Sequence, residues 1–121
     1  MKLRIDSATG HSPYEQVRSQ LAAQINNGEL PVGTKLPTVR KLAADIGIAP
    51  NTVARAYREL EAAGLLDTRG RAGTFVGAGG DHSRSQAAEA AADYVHTVDG
   101  LGISREDALA IVRAALQSQP R

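Results

Sequence analysis

Between Thr38 and Gly64 the hydrophobic positions fall twice at helical spacing. Val39, Leu42, Ala43 and Ile46 recur at intervals of three, one and three, which gathers them on one helix face. Thr38 stands where a hydroxyl caps exposed backbone N–H groups, and Pro37 before it blocks any helical run-in. Gly47 occupies the position at which helices commonly end in a left-handed residue, so Gly47, Ile48 and Ala49 form a short turn. Pro50 opens a second helix at its first position, where a missing N–H costs nothing. Val53, Ala56, Tyr57 and Leu60 come next at i, i+3, i+4 and i+7, and Gly64 closes the run. Two short amphipathic helices joined this tightly make a helix-turn-helix.

The outer face of the second helix carries Asn51, Thr52, Arg55 and Arg58. Charges alone would make it an ordinary solvated surface. Its N-terminal polar pair and two guanidinium groups one turn apart are also what base-edge and phosphate contacts require. The next dozen residues tip the balance. Leu65 to Arg69 and Gly73 to Val76 read as two short strands joined by a turn of Gly70, Arg71, Ala72 and Gly73. An arginine-bearing, glycine-flanked hairpin after such a helix is a wing, able to enter a minor groove or lie along a phosphate backbone.

Elsewhere the pattern predicts supporting elements. Leu3 to Asp6 alternates as an extended arm with no assigned role. Ser12, Pro13 and Glu15 form a capping box, and Tyr14, Val17, Leu21 and Ile25 give that helix a buried face until Gly28. Leu30 to Pro37 is a loop, with a short strand near Thr34 and Lys35 that pairs with the wing; Lys35 there either reaches a phosphate or is solvated. GAGGDHSRS, residues 77–85, has the composition of a flexible linker. Two helices come after it, 86–98 and 105–118, separated by Asp99 to Gly102, with Ser104 and Asp107 as the second capping box. Ala87, Ala91, Tyr94, Val95 and Val98 line the first, and Ala108, Ile111, Val112 and Ala115 the second. A two-helix hairpin cannot bury both stripes alone, so it packs on residues 1–76 or on a second copy; the glycine-rich linker and the alanine-rich faces favour the second copy.

The expected fold is therefore mainly α with a small β wing: a winged helix-turn-helix domain over 1–76, a linker over 77–85, and a two-helix dimerisation tail over 86–121. Net charge over the 121 residues is only +1. Residues 35–71, however, hold seven basic against four acidic side chains, a net of +3, whereas 81–121 hold four against six, a net of −2. Positive charge concentrates on the motif, as a phosphate-facing patch requires. The absence of cysteine excludes a disulfide framework and a thiolate zinc site. No apolar run approaches the length of a membrane span, and Met1 to Thr9 lacks the apolar stretch of a signal peptide. A cytoplasmic, nucleoid-associated protein is expected. His11, His82 and His96 show no ligand-like spacing, no nucleophile motif is present, and no GK[ST] comes after Gly70 to Gly73, so neither an enzyme, a metal site nor a cofactor is expected.

The run KLPTVRKLAADIGIAPNTVARAYRELEAAGLLDTRGRAGTFV, residues 35–76, resembles the DNA-binding domain of the GntR family of bacterial transcription regulators. PNTVARAY with LEAAG and GTFV is most similar to its short-tailed YtrA-like subfamily. Arg40 matches the family's arginine near the start of the first motif helix, and Gly73 its wing glycine. Many members carry arginines where this chain has Pro50 and Ala54. Their contacts do not transfer, and Asn51, Thr52 and Arg55 stand on their own chemistry.

The resemblance implies a repressor acting as a homodimer joined through its tail, on a near-palindromic double-stranded DNA operator. The candidate DNA contacts are Lys35, Thr38, Arg40, Asn51, Thr52, Arg55, Arg58, Arg69, Arg71 and Gly73. Asn51, Thr52 and Arg55 are expected to read base edges, Arg40 and Arg58 to hold phosphates or make mixed contacts, and Arg69, Arg71 and Gly73 to serve the wing. Tyr57 shares the stripe of Val53 and Leu60 and is read as core. Any small-molecule effector would bind at the dimer interface or between tail and winged domain. The alternative from another class is a winged-helix module that assembles with protein through the same face.

Overall fold

A computed structural model of the chain describes residues 1–79 and 81–118, with the side chain of His82 outside the described set. They form two compact units, Met1–Ser85 and Gln86–Arg121.

The first unit is a winged helix-turn-helix built on three helices. α1 (Pro13–Asn26) starts with proline at its first position and Ser12 as its cap, whose Oγ accepts the Glu15 N–H at 3.4 Å. Only that half of the expected capping box forms, because the Glu15 carboxylate lies 3.5 Å from His11 Nδ1. α2 (Val39–Ile46) is capped by Thr38, which accepts the Lys41 N–H at 3.1 Å, and stops at Gly47 with φ 73°, the left-handed turn a glycine permits. α3 (Pro50–Ala62) then packs against both α1 and α2.

Val53, Ala56, Tyr57 and Leu60 of α3 meet Val17 and Leu21 of α1 and Leu42 and Ala43 of α2 in one core, closed by Leu30, Leu36, Leu66 and Val76. Ile25, Val39 and Ile46 pack only at its rim, and Tyr14, expected on the buried face of α1, is half-exposed. Tyr57 is 7% exposed, and its Oη donates to the Pro37 carbonyl at 2.8 Å, so α3 is tied to the residue just ahead of the α2 cap. Burial pushes its phenol pKa up from 10.0 to about 12.

The wing consists of β1 (Leu66–Thr68) and β2 (Thr74–Val76), antiparallel with Leu66 opposite Val76, Asp67 opposite Phe75 and Thr68 opposite Thr74. Both strands are shorter than the sequence pattern suggests, and Gly70–Ala72 form a single 3₁₀ turn at the tip. The strand expected near Thr34 and Lys35 is a lone bridge between Lys35 and Phe75. It is flanked by main-chain bonds from Val76 N–H to Thr34 O and from Leu36 N–H to Thr74 O, both 2.8 Å. The segment expected to be flexible begins ordered: Gly77 and Gly79 donate to the carbonyls of Leu65 and Gly64 at 2.8 and 2.9 Å. At Gly77 a Cβ would stand 2.7 Å from the Gly64 carbonyl oxygen, so only glycine fits. Asp81 then caps α4 (His82–Gly100), its Oδ1 accepting the Arg84 N–H at 3.2 Å. That cap ends the linker four residues earlier than composition suggests.

The N-terminal arm is held in an unexpected way. Gln20 receives the Arg4 N–H on Oε1 (3.0 Å) and donates Nε2 to the Arg4 carbonyl (2.7 Å). Gln16 does the same for Asp6, at 2.7 and 2.9 Å, and Gln24 Nε2 donates to the Lys2 carbonyl at 2.6 Å. Four helical residues rise about 6 Å, close to the roughly 6.8 Å spanned by two extended residues. Three glutamines one turn apart therefore serve alternate residues of an extended chain as a neighbouring strand would, while Leu3 and Ile5 pack against the core.

In the second unit α4 ends in paired reverse bonds, Ile103 N–H to Val98 O (3.0 Å) and Gly102 N–H to Asp99 O (3.2 Å), with Gly102 left-handed at φ 74°. α5 (Arg105–Ser118) is capped by Ser104, which accepts the Asp107 N–H at 3.1 Å. Tyr94 Oη donates to the Ala108 carbonyl at 2.8 Å. Of the expected dimer stripe, Val98 and Ala108 are buried, which withdraws them from any surface a partner meets. Tyr94 and Val112 are half-buried, and Ala87, Ala91, Val95, Ile111 and Ala115 are exposed.

Tyr57→Phe removes the bond to Pro37 and is expected to cost about 1 kcal/mol at neutral pH. The raised phenol pKa means that the unfolded chain binds fewer protons than the folded one between pH 10 and 12. Stability is thus expected to be insensitive to this group below pH 10 and to fall as pH rises through 12, by at most about 1.4 kcal/mol per unit. Urea denaturation of both proteins across that range checks this, since Tyr57→Phe should lose the slope.

Candidate nucleic-acid interface

Ala49 precedes α3 and offers no side-chain cap, so no side chain competes for the N–H groups of its first turn. Pro50 has no N–H and Thr52 donates to the Ala49 carbonyl at 3.0 Å, so the Asn51 N–H and the helix dipole are what favour an anion there. Asn51 is exposed and Thr52 half-buried. The hydroxyl of Thr38 accepts a bond as the α2 cap yet keeps its own hydrogen to donate outward, so capping and a phosphate contact are compatible.

The candidate cations divide into two groups. Among the described residues Lys35, Arg40, Arg58 and Arg71 are exposed and have no ion-pair partner. Arg69 is anchored: its Nε lies 3.0 Å from Asp67 Oδ2, and its guanidinium covers the Phe75 ring at 4.5 Å. Arg69 therefore stiffens the wing, while Arg71 sits in the turn at its tip. Gly73 and Lys35 come together directly, since a Cβ on Gly73 would meet Lys35 Cε at 2.9 Å. The lysine chain lies over the glycine on its way to the surface.

Arg55 departs most from expectation. Its guanidinium stacks over the Tyr14 ring of α1, 3.7 Å from the centroid. Tyr14 Oη donates to Glu59 Oε1 at 3.4 Å, and Arg18 Nε lies 3.4 Å from Glu59 Oε2. Sequence reading missed Tyr14, Arg18 and Glu59 because periodicity gives each helix its own faces and says nothing of how two helices align. It also missed Leu101, Leu109 and Leu116, exposed in the second unit; Leu109 and Leu116 flank Val112 at spacings of three and four, a wider apolar face than the stripe that periodicity marks. His11 pairs with Glu15, and among the described residues no group of three His, Asp or Glu side chains converges as metal ligands would.

With this geometry in place, comparison with known proteins is decisive. Residues 13–76 match the family described as bacterial regulatory proteins, gntR family. The chain belongs to the GntR family. Membership makes it a DNA-binding transcription regulator. It is 47% identical over 107 residues to the HTH-type transcriptional regulator Rv1152 of Mycobacterium tuberculosis, covering 88% of both chains. It is 43% identical over 75 residues to the HTH-type transcriptional repressor YtrA of Bacillus subtilis, covering 61% of this chain and 57% of that one. Among solved structures, the AraR DNA-binding domain in complex with operator ORX1 superposes with a TM-score of 0.56 at 27% identity, covering 63% of this chain and 98% of that one. The GntR match runs from α1 through β2, the stretch that holds every candidate DNA contact.

Gly73 has φ 116° and ψ −165°, a region that side chains other than hydrogen rarely enter. Gly73→Ala is expected to cost about 1–3 kcal/mol, and to raise hydrogen exchange at the Arg69 amide, which now donates to the Gly73 carbonyl at 2.8 Å. Chemical denaturation with amide exchange checks both.

Proposed function

We propose that this GntR regulator is a repressor that binds a near-palindromic double-stranded operator as a homodimer. The observation carrying the reading is the exposed outer face of α3, with Asn51 and Arg58 open to solvent, beside a wing whose tip arginine has no ion-pair partner among the described residues. The operator-bound AraR domain of similar fold and the repressor YtrA support it. In this reading Asn51, Thr52 and Arg55 meet base edges, and Arg40, Arg58 and Thr38 hold phosphates around α2 and α3. Lys35 and Arg71 bring the wing to the backbone, with Arg69 and Gly73 fixing its shape. The role needs neither catalysis nor a cofactor and places the protein on chromosomal DNA in the cytoplasm.

Homodimerisation is supported by where apolar surface lies. Val95, Leu101, Leu109, Ile111 and Leu116 are 38–73% exposed, all in the second unit, whereas among the described residues Met1 is the sole large hydrophobic side chain exposed in the first. Two tails packed together would cover that surface and set two winged units on successive half-sites.

Selection of bound duplexes from a random pool should return a palindrome. If each half neutralises three to five phosphates, affinity should fall about 10³- to 10⁵-fold between 50 and 200 mM salt. Arg58→Gln should flatten the log–log salt slope by about 2, one lost phosphate contact in each half. Weak, sequence-independent binding would instead favour a protein-assembly role for the same face. A second test addresses the tail: Leu109→Glu with Leu116→Glu should halve the mass in solution to that of one 12.7 kDa chain and sharply weaken operator binding. A variant that stays dimeric would remove the tail from the interface.

A further inference from the structure

Arg55 and Glu59 stand four residues apart on α3, the spacing at which opposite charges on a helix pair. They do not pair with each other. Tyr14 of α1 separates them: its ring takes the guanidinium at 3.7 Å, and its hydroxyl donates to the Glu59 carboxylate at 3.4 Å. Arg18, one turn further along α1, lies 3.4 Å from the other carboxylate oxygen. The carboxylate that would neutralise Arg55 is thus drawn off by α1.

We infer that Tyr14 and Arg18 are positioning residues for base readout by Arg55. This rests on the proposed operator binding, in which Arg55 meets a base edge. A stacked guanidinium uses its face on the ring, whereas its five N–H donors lie in the plane and stay open to a paired acceptor edge such as guanine O6 and N7. Stacking also orders a long side chain before DNA arrives, so less rotamer freedom is lost on contact. Arg18 supplies the counter-charge for Glu59, which leaves the charge of Arg55 for the nucleic acid. The readout face of α3 is in this way set by two residues of α1, which is otherwise scaffold.

The test compares base preferences selected by the full-length wild type and five variants, with thermal melting to verify folding. Arg55→Gln marks the position that Arg55 reads. Tyr14→Leu is expected to lose about three- to tenfold of the preference at that position, with the salt slope unchanged, and Tyr14→Phe to retain it. Arg18→Leu should weaken the same preference by releasing Glu59 onto Arg55, and adding Glu59→Gln to Arg18→Leu should restore it. Should Tyr14→Leu melt early, the Arg18 and Glu59 variants carry the test alone. If Arg55→Gln erases a preference that a folded Tyr14→Leu keeps, or if Glu59→Gln fails to rescue Arg18→Leu, the inference is overturned while the operator reading survives. If the wild type shows no preference for Arg55→Gln to erase, the operator reading of Arg55 has failed first.

Discussion

Val53, Ala56, Tyr57 and Leu60 leave water along one side of a single helix, and that burial is shared among α1, α2 and the sheet. Burying a valine or leucine side chain fully contributes about 1.5–3 kcal/mol, so α3 cannot roll about its axis without exposing several at once. Its opposite face is fixed by default. The Tyr57 hydroxyl adds direction to this packing, because its bond to the Pro37 carbonyl ties α3 to the residue ahead of the cap that starts α2. A non-directional term sets the roll of α3, and one hydrogen bond fastens it to the point where its neighbour begins.

What could be read from the sequence was whatever local chemistry decides. Ser12 with Pro13, Thr38 with Gly47, Pro50 and Ser104 each state where a helix starts or stops, and α5 spans the residues that its cap and stripe predict. Asp81 carries the same kind of signal, hidden among glycines of linker-like composition, and α4 begins at His82 and not at Gln86. The wing was legible as a hairpin but not in its inner contacts: nothing in the order of residues says that Arg69 turns back onto Asp67 and Phe75 while Arg71 does not. The Tyr14–Arg55 stack was invisible for a deeper reason. It joins two helices whose relative rotation is a product of the whole core.

The two units differ in what they show to water. The first places nearly all its large apolar side chains inside and presents charge outside; the second keeps several leucines and an isoleucine at its surface. A hairpin of two helices has too little interior to do otherwise. The tail stripe was thus readable as amphipathic, but its division into buried Val98 and Ala108 and exposed neighbours depends on how two helices meet.

Gln16, Gln20 and Gln24 hold the arm by its main chain, through the amides and carbonyls of residues 4 and 6 and the carbonyl of residue 2. Recognition of this kind is indifferent to the side chains of the strand it grips. Leu3 and Ile5 answer to the core, but Lys2 and Arg4 are kept in place by main-chain atoms alone, whereas the Asp6 carboxylate also accepts the Ala8 N–H at 2.9 Å. The identities of residues 2 and 4 are free to drift over evolution, or to be replaced with a reporter group, while the path of the chain along α1 stays the same.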